Sequence, residues 1–151
     1  MASSRLTDAE TRAWQALLHA HHDVVERLDR ELRDAHGITF AEYDVLLRLG
    51  RAPERALRMS DLAERVLLSP SGVTRLVDRL AARGLLERRT DPTDARVALA
   101  SLTTEGSRLL RRAARAHLRG IREHFTSRLT QTQLREVAAG LEQVAGSHEP
   151  H

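Results

Sequence analysis

The chain contains no cysteine, which excludes disulfides, thiol nucleophiles and cysteine-based zinc sites. It contains no lysine either: all 24 of its Lys and Arg residues are arginine. Aromatics are scarce, with one Trp, one Tyr and two Phe, so each stands out as core or as a ligand wall. No apolar run approaches the length of about 20 residues that a membrane-crossing helix needs. The start MASSRLTDAE has no signal-peptide core. A cytoplasmic location with no membrane partner is the expectation. The eight histidines fall in no triad and no metalloprotease motif, so neither an enzyme nor a cofactor is expected.

What remains is a chain of 151 residues with 41% hydrophobic content, the size of one domain with a real core. The net charge is only +3, so placement of the arginines matters more than their number. Arginine makes forked contacts to phosphate and guanine that lysine does not copy.

Helical periodicity dominates. Thr7 and Glu10 form a capping box, and Leu6, Ala13, Leu17, Val24, Leu28 and Leu32 recur on one face up to a C-cap at Gly37. This helix has about 28 residues, long for a globular domain, and calls for a partner. A second box, Thr39 with Glu42, opens a largely buried helix that Gly50 ends. Arg51 to Arg58, with Pro53, reads as a loop. Ser60 caps a short helix. Ser69 caps the next, which starts at Pro70, where a missing donor costs nothing, and ends at Gly84. Thr103 caps another long helix with Leu109, Leu110, Ala113, Ala114, Leu118, Ile121 and Phe125 on its apolar face. Thr130 with Gln133 opens a last one whose Leu134, Val137, Leu141 and Val144 form a heptad-like seam. The tail from Gly146 is polar and reads as frayed.

Two short helices separated by a tight break at Leu67 and Leu68 have the signature of a helix-turn-helix. In the second, Val73, Leu76, Val77 and Leu80 fall at i, i+3, i+4, i+7 and face inward. Ser71, Thr74, Arg75, Asp78 and Arg79 take the other side, and Gly72 keeps the first turn small. Such an end suits the major groove: small residues permit close approach, hydroxyls bond phosphate or base, and Arg75 reaches guanine or backbone. After it, Leu85–Thr90 and Val97–Leu102 flank the turn residues 91–96 and read as a hairpin carrying Arg88, Arg89 and Arg96. Beside a helix-turn-helix, such a hairpin is a wing whose tip enters the minor groove with an arginine.

The stretches MSDLAERVLLSPSGVTRLVDRLAARGLLERR and DPTDARVALASLTTEG resemble the MarR family of winged helix-turn-helix regulators. The family pattern appears as Gly84 to Arg88, Asp94 to Arg96 and Leu102 to Gly106. The resemblance implies a mainly α (α+β) fold in one domain over residues 1–151. Within it, residues 39–102 would form the winged DNA-binding lobe with a two-stranded wing, and residues 1–37 and 103–151 the dimerisation helices. It implies a homodimer on a palindromic double-stranded DNA operator, acting as a repressor released by a small effector. Ser71, Thr74 and Arg75 would meet the major groove and Arg96 the minor groove. Asp94 would orient the wing, while Ser69, Arg79, Arg88 and Arg89 would touch phosphate.

An organic effector, anionic or aromatic, would draw on Trp14, Phe40 and Tyr43 as walls and on Arg12 or His19 for charge. Two alternatives stand beside this one. The first is a zinc- or other metal-responsive regulator of the same fold, using His19, His22 and Glu26 or His117 and His124. The spacing matches no metal motif, so no metal residue is assigned. The second is a winged helix that binds protein instead of DNA, against which Arg75, Arg88, Arg89 and Arg96 weigh.

Overall fold

The computed structural model describes residues 5–66 and 70–146. The elements run α1 (Asp8–His36), α2 (Phe40–Arg51), β1 (Ala56–Arg58), α3 (Met59–Arg65), α4 (Pro70–Ala82), β2 (Leu86–Asp91), β3 (Asp94–Leu102), α5 (Thr104–His124) and α6 (Gln131–Ala145), with short 3-10 turns at Pro53–Arg55 and Thr126–Arg128. This is the mainly helical, winged architecture expected. The chain divides into two compact units, residues 28–117 and residues 1–27 with 118–151.

In the unit of residues 28–117, α2 is the centre: Val45, Leu46 and Leu49 are fully buried. They pack with Leu62 of α3, with Val73, Val77 and Leu80 of α4, and with Leu86 and Ala100 of the sheet. The Thr39 box is formed in both directions: the Glu42 amide donates to Thr39 Oγ1 at 3.0 Å and the Thr39 amide to Glu42 Oε2 at 2.9 Å. The next amide, Phe40 N–H, donates to Asp29 Oδ1 on α1 at 2.7 Å. Gly37 closes α1 with φ +66, its N–H bonded to the Arg33 carbonyl at 2.9 Å. The box at Thr7 and Glu10 and that at Thr130 and Gln133 are likewise present.

Several sequence expectations are corrected. Arg51–Arg58 is no loop: a 3-10 turn leads into β1, which pairs antiparallel with β3 and gives a three-stranded sheet in the order β1-β3-β2. Three residues with one buried member, Leu57, are too few to show a period, and the pairing partner lies far along the chain. Gly50 does not end α2. The helix runs through it to Arg51 with Ala52 at the cap, and a Cβ on Gly50 would come within 2.6 Å of the Leu110 side-chain tip. α3 begins at Met59, with Arg58 and not Ser60 at the cap. The wing turn is narrower than residues 91–96, since β2 reaches Asp91 and β3 starts at Asp94. Phe125 lies just past the end of α5, and Leu118 is exposed. Ser69, the Leu67–Leu68 break and the tail beyond Gly146 lie outside the described residues.

The end of α4, the wing and the start of α5 meet at one point. Gly84, at φ +73, ends the α4 turn, and the Leu85 amide returns to the Leu80 carbonyl at 3.0 Å. From the other side Thr103 donates its amide to the Leu85 carbonyl at 3.2 Å and its hydroxyl to the Gly84 carbonyl at 2.7 Å. Its Oγ1 also caps α5 by accepting from Gly106 N–H at 3.0 Å. A Cβ on Gly106 would fall 2.1 Å from the Leu85 oxygen, closer than any real contact, so only glycine fits. Gly106→Ala is therefore expected to cost at least the roughly 1–3 kcal/mol typical of overpacking, seen as a lower midpoint in denaturant unfolding. An unchanged midpoint would show that the junction yields.

In the unit of residues 1–27 and 118–151, α1 carries Leu17, Val24 and Val25, and α6 carries Val137 and Leu141. Together with Phe125 and Leu129 they line an apolar groove of about 810 Å³. Leu6, Trp14, Leu17, Leu18, Leu118, Leu141 and Val144 are exposed. Among the described residues no helix is long and apolar enough to cross a membrane.

Candidate nucleic-acid interface

α4 presents the faces that its periodicity predicts. Val73, Leu76, Val77 and Leu80 are buried, while Ser71, Arg75, Asp78 and Arg79 are exposed. Gly72 and Thr74 are half-buried at the first turn. Two arginines near the C-terminal end tie the helix to the α1–α2 junction. Arg79 Nε lies 3.4 Å from Glu42 Oε1, and Arg83 Nη1 donates to the Gly37 carbonyl at 2.8 Å. Glu42 is buried and also belongs to the α2 capping box, so one carboxylate fixes the start of α2 and restrains α4. Sequence reasoning assigned Arg79 to phosphate; the structure places it against Glu42, a pairing across 37 positions that no local pattern signals.

The wing is held to α4 by a second ion pair, Arg88 Nη1 to Asp78 Oδ1 at 3.0 Å. Arg89 lies 3.3 Å from Glu87 on the same strand. The tip is built from two aspartates. Asp91 Oδ1 accepts from the Thr93 amide at 2.8 Å and from its hydroxyl at 2.7 Å, and Asp91 Oδ2 lies 3.3 Å from Arg58 of β1. Asp94 Oδ1 accepts from the Arg96 amide at 3.0 Å and from its Nε at 3.1 Å, with Nη2 to Oδ2 at 3.3 Å. The Arg96 side chain is 90% exposed. Its guanidinium is thus held by a neighbouring carboxylate yet open to solvent. Arg58 is a part of this tip that the sequence did not point to, because β1 itself was not legible.

A 33%-identical relative, the transcriptional repressor MdtR of Bacillus subtilis, aligns with 72% of this chain and 68% of its own length. A family model described as MarR family matches residues 36–97, spanning α2 to the wing. Sco3205 of Streptomyces coelicolor, a MarR family transcriptional regulator solved in complex with DNA, is 32% identical and superposes with a TM-score of 0.90 over 98% of this chain and 93% of that one. The chain belongs to the MarR family. AbsC, a MarR family regulator from Streptomyces coelicolor, gives a TM-score of 0.89 at 29% identity over 95% and 96% of the two chains. This MarR-family transcriptional regulator therefore carries its family motifs where its geometry needs them. The D-x-R pair makes the wing tip, and the L-T-x-x-G run makes the junction at Leu85.

The residues expected at an effector site belong to both units. Arg12, Trp14 and His19 lie on the exposed first half of α1, in one unit. Phe40 and Tyr43 lie in the other, where both meet His117, with ring centroids 5.7 and 4.4 Å apart. Tyr43 is buried, and burial pushes its hydroxyl above the ordinary value of 10.0. His117 is a third member of this ring cluster that was considered only as a metal ligand. His22 pairs with Glu26 at 3.7 Å, and among the described residues no three His, Asp or Glu side chains come together to hold a metal ion.

Hydrogen bonds from the Arg96 side chain, and then from its amide, hold the Asp94 carboxyl below the ordinary value of 3.8. A lowered carboxyl stabilises the fold above its unfolded value and loses that contribution as pH falls through the folded one. The Arg96 amide resonance is therefore expected to stay constant from neutral pH down to about the unfolded aspartate value of 3.9 and to move only below it. Asp94→Asn should abolish the movement. Titration of that resonance near pH 5 or above would show that Asp94 does not hold Arg96.

Proposed function

We propose that this MarR-family regulator binds double-stranded DNA sequence-specifically, as a homodimer on a palindromic operator, and acts as a repressor. The observation that carries this is the pairing of α4 with the wing. A helix whose first turn offers Ser71, Gly72, Thr74 and Arg75 is locked by Asp78–Arg88 to a hairpin whose tip aims Arg96 outward. In this reading Ser71, Thr74 and Arg75 read the major groove and Arg96 the minor groove. Ser69, Arg88 and Arg89 contact phosphate. Arg79 reaches phosphate from beside Glu42.

The homodimer rests on the apolar groove formed by α1 and α6 and on the exposed Trp14, Leu18, Leu118 and Val144. Surfaces of this kind mark association, and the α6 seam is spaced for another helix. A twofold dimer sets the two half-sites about one helical turn apart. Repression is supported by the name of the relative MdtR, a transcriptional repressor. Release by a small organic effector belongs to the same proposal. An aromatic effector suits the Phe40, Tyr43 and His117 rings of the unit of residues 28–117. It acts by preferring one spacing of the two recognition helices.

Arg75→Ala is expected to weaken binding to a footprinted operator by about 1–3 kcal/mol and to relax base preference at one position of each half-site. An equal loss on all sequences would reduce Arg75 to a phosphate contact. Arg96→Ala is expected to weaken operator binding while sedimentation still shows a dimer at micromolar concentration. Undiminished affinity would remove Arg96 from the interface, and a folded monomer of the unmutated chain would overturn the dimer.

A further inference from the structure

α5 carries a charge pattern that the recognition helix and wing do not use. Six of the chain's 24 arginines lie on this one helix, at Arg108, Arg111, Arg112, Arg115, Arg119 and Arg122. All six are exposed, and Leu109, Ala113 and Gly120 on the other side are buried. At about 100° per residue the six fall within an arc of about 100°, with no acidic residue among them. The only acidic residues of α5, Glu105 and Glu123, stand at its ends. Among the described residues only Arg108 has a carboxylate partner, Glu105. Arginines three and four apart on a helix repel one another, so the stripe persists against its own electrostatics.

We propose that the outer face of α5 is a second nucleic-acid surface, which takes the phosphate backbone of duplex DNA without reading bases. Charge spacing selects this partner. From Arg108 to Arg122 the helix rises about 21 Å, so the six positive charges stand about 4 Å apart along the axis, close to the phosphate repeat of one strand. One strand of B-DNA carries a phosphate about every 3.4 Å along its axis. Guanidinium forks suit phosphate oxygens better than a compact ammonium does. The stripe has no aromatic side chain, so it lacks the stacking platform with which proteins hold single strands. The choice of duplex DNA over another polyanion also rests on the DNA-binding reading above.

The test is fluorescence anisotropy of the full chain on a random 40-base-pair duplex and on the footprinted operator, titrated between about 50 and 200 mM salt. Two variants are compared: R111Q/R112Q/R115Q/R119Q, which removes the charge, and R111K/R112K/R115K/R119K, which keeps it. Circular dichroism is expected to show both folded, since all four side chains are exposed. The glutamine variant should bind the random duplex about tenfold or more weakly. Its slope of log K against log salt should be shallower by about 3–4 per protomer, at about 0.9 for each phosphate that is no longer neutralised. The lysine variant should keep the slope. The preference for operator over random sequence, set by Arg75 and Arg96, should hold in both. An unchanged slope in the glutamine variant would overturn the stripe and leave the operator reading intact. So would weakening confined to single-stranded RNA or an acidic peptide. Failure of the unmutated chain to bind any duplex at 50 mM salt would overturn both.

Discussion

The Leu85 carbonyl is the point on which the unit of residues 28–117 turns. It accepts from Thr103 at 3.2 Å and sits where a side chain on Gly106 would stand. Through this contact the end of the recognition helix, the base of the wing and the first turn of α5 become one rigid piece. The wing therefore leaves α4 from a fixed base. β3 pairs on both sides, with β1 and β2. On α2, Gly50 faces the tip of the Leu110 side chain of α5, a softer contact than the backbone oxygen that Gly106 meets. Interiors packed to crystal-like density leave no slack for alternatives.

Around that junction, carboxylates serve mainly to aim arginines. Glu42 holds Arg79, Asp78 holds Arg88 and Asp94 holds Arg96. Exposed pairs such as the last two contribute little to stability, about 0–1 kcal/mol each. What they supply is orientation: each holds its guanidinium in one direction. The wing is thus organised electrostatically at its surface and by packing at its base.

The other unit follows different physics. Its helices bury few side chains completely and leave Trp14, Leu18 and Val144 to solvent around an apolar groove. The lone tryptophan is 56% exposed, an apolar surface of the kind on which the proposed homodimer rests. In the proposed function, DNA contact and self-association fall to different stretches, and α5, with its arginine stripe, contributes to each unit.

The sequence by itself determined the local structure. Capping boxes at Thr7, Thr39 and Thr130, the inward face of α4 and the glycine stops at Gly37 and Gly84 could be read because each depends on residues within one or two helical turns. The winged lobe and its candidate DNA-facing residues followed from those elements and from their family pattern. Only the tertiary structure decided what joins distant positions. β1 exists because β3 offers it a ladder. Gly50 is a contact and not a stop, because Leu110 comes from another helix. Arg79 meets Glu42, Arg58 meets Asp91, and His117 joins Phe40 and Tyr43. In each case the deciding partner lies tens of residues away. Helical periodicity carries no record of such a partner, because a lone charge or glycine looks the same in sequence whether it faces water, phosphate or a neighbouring helix.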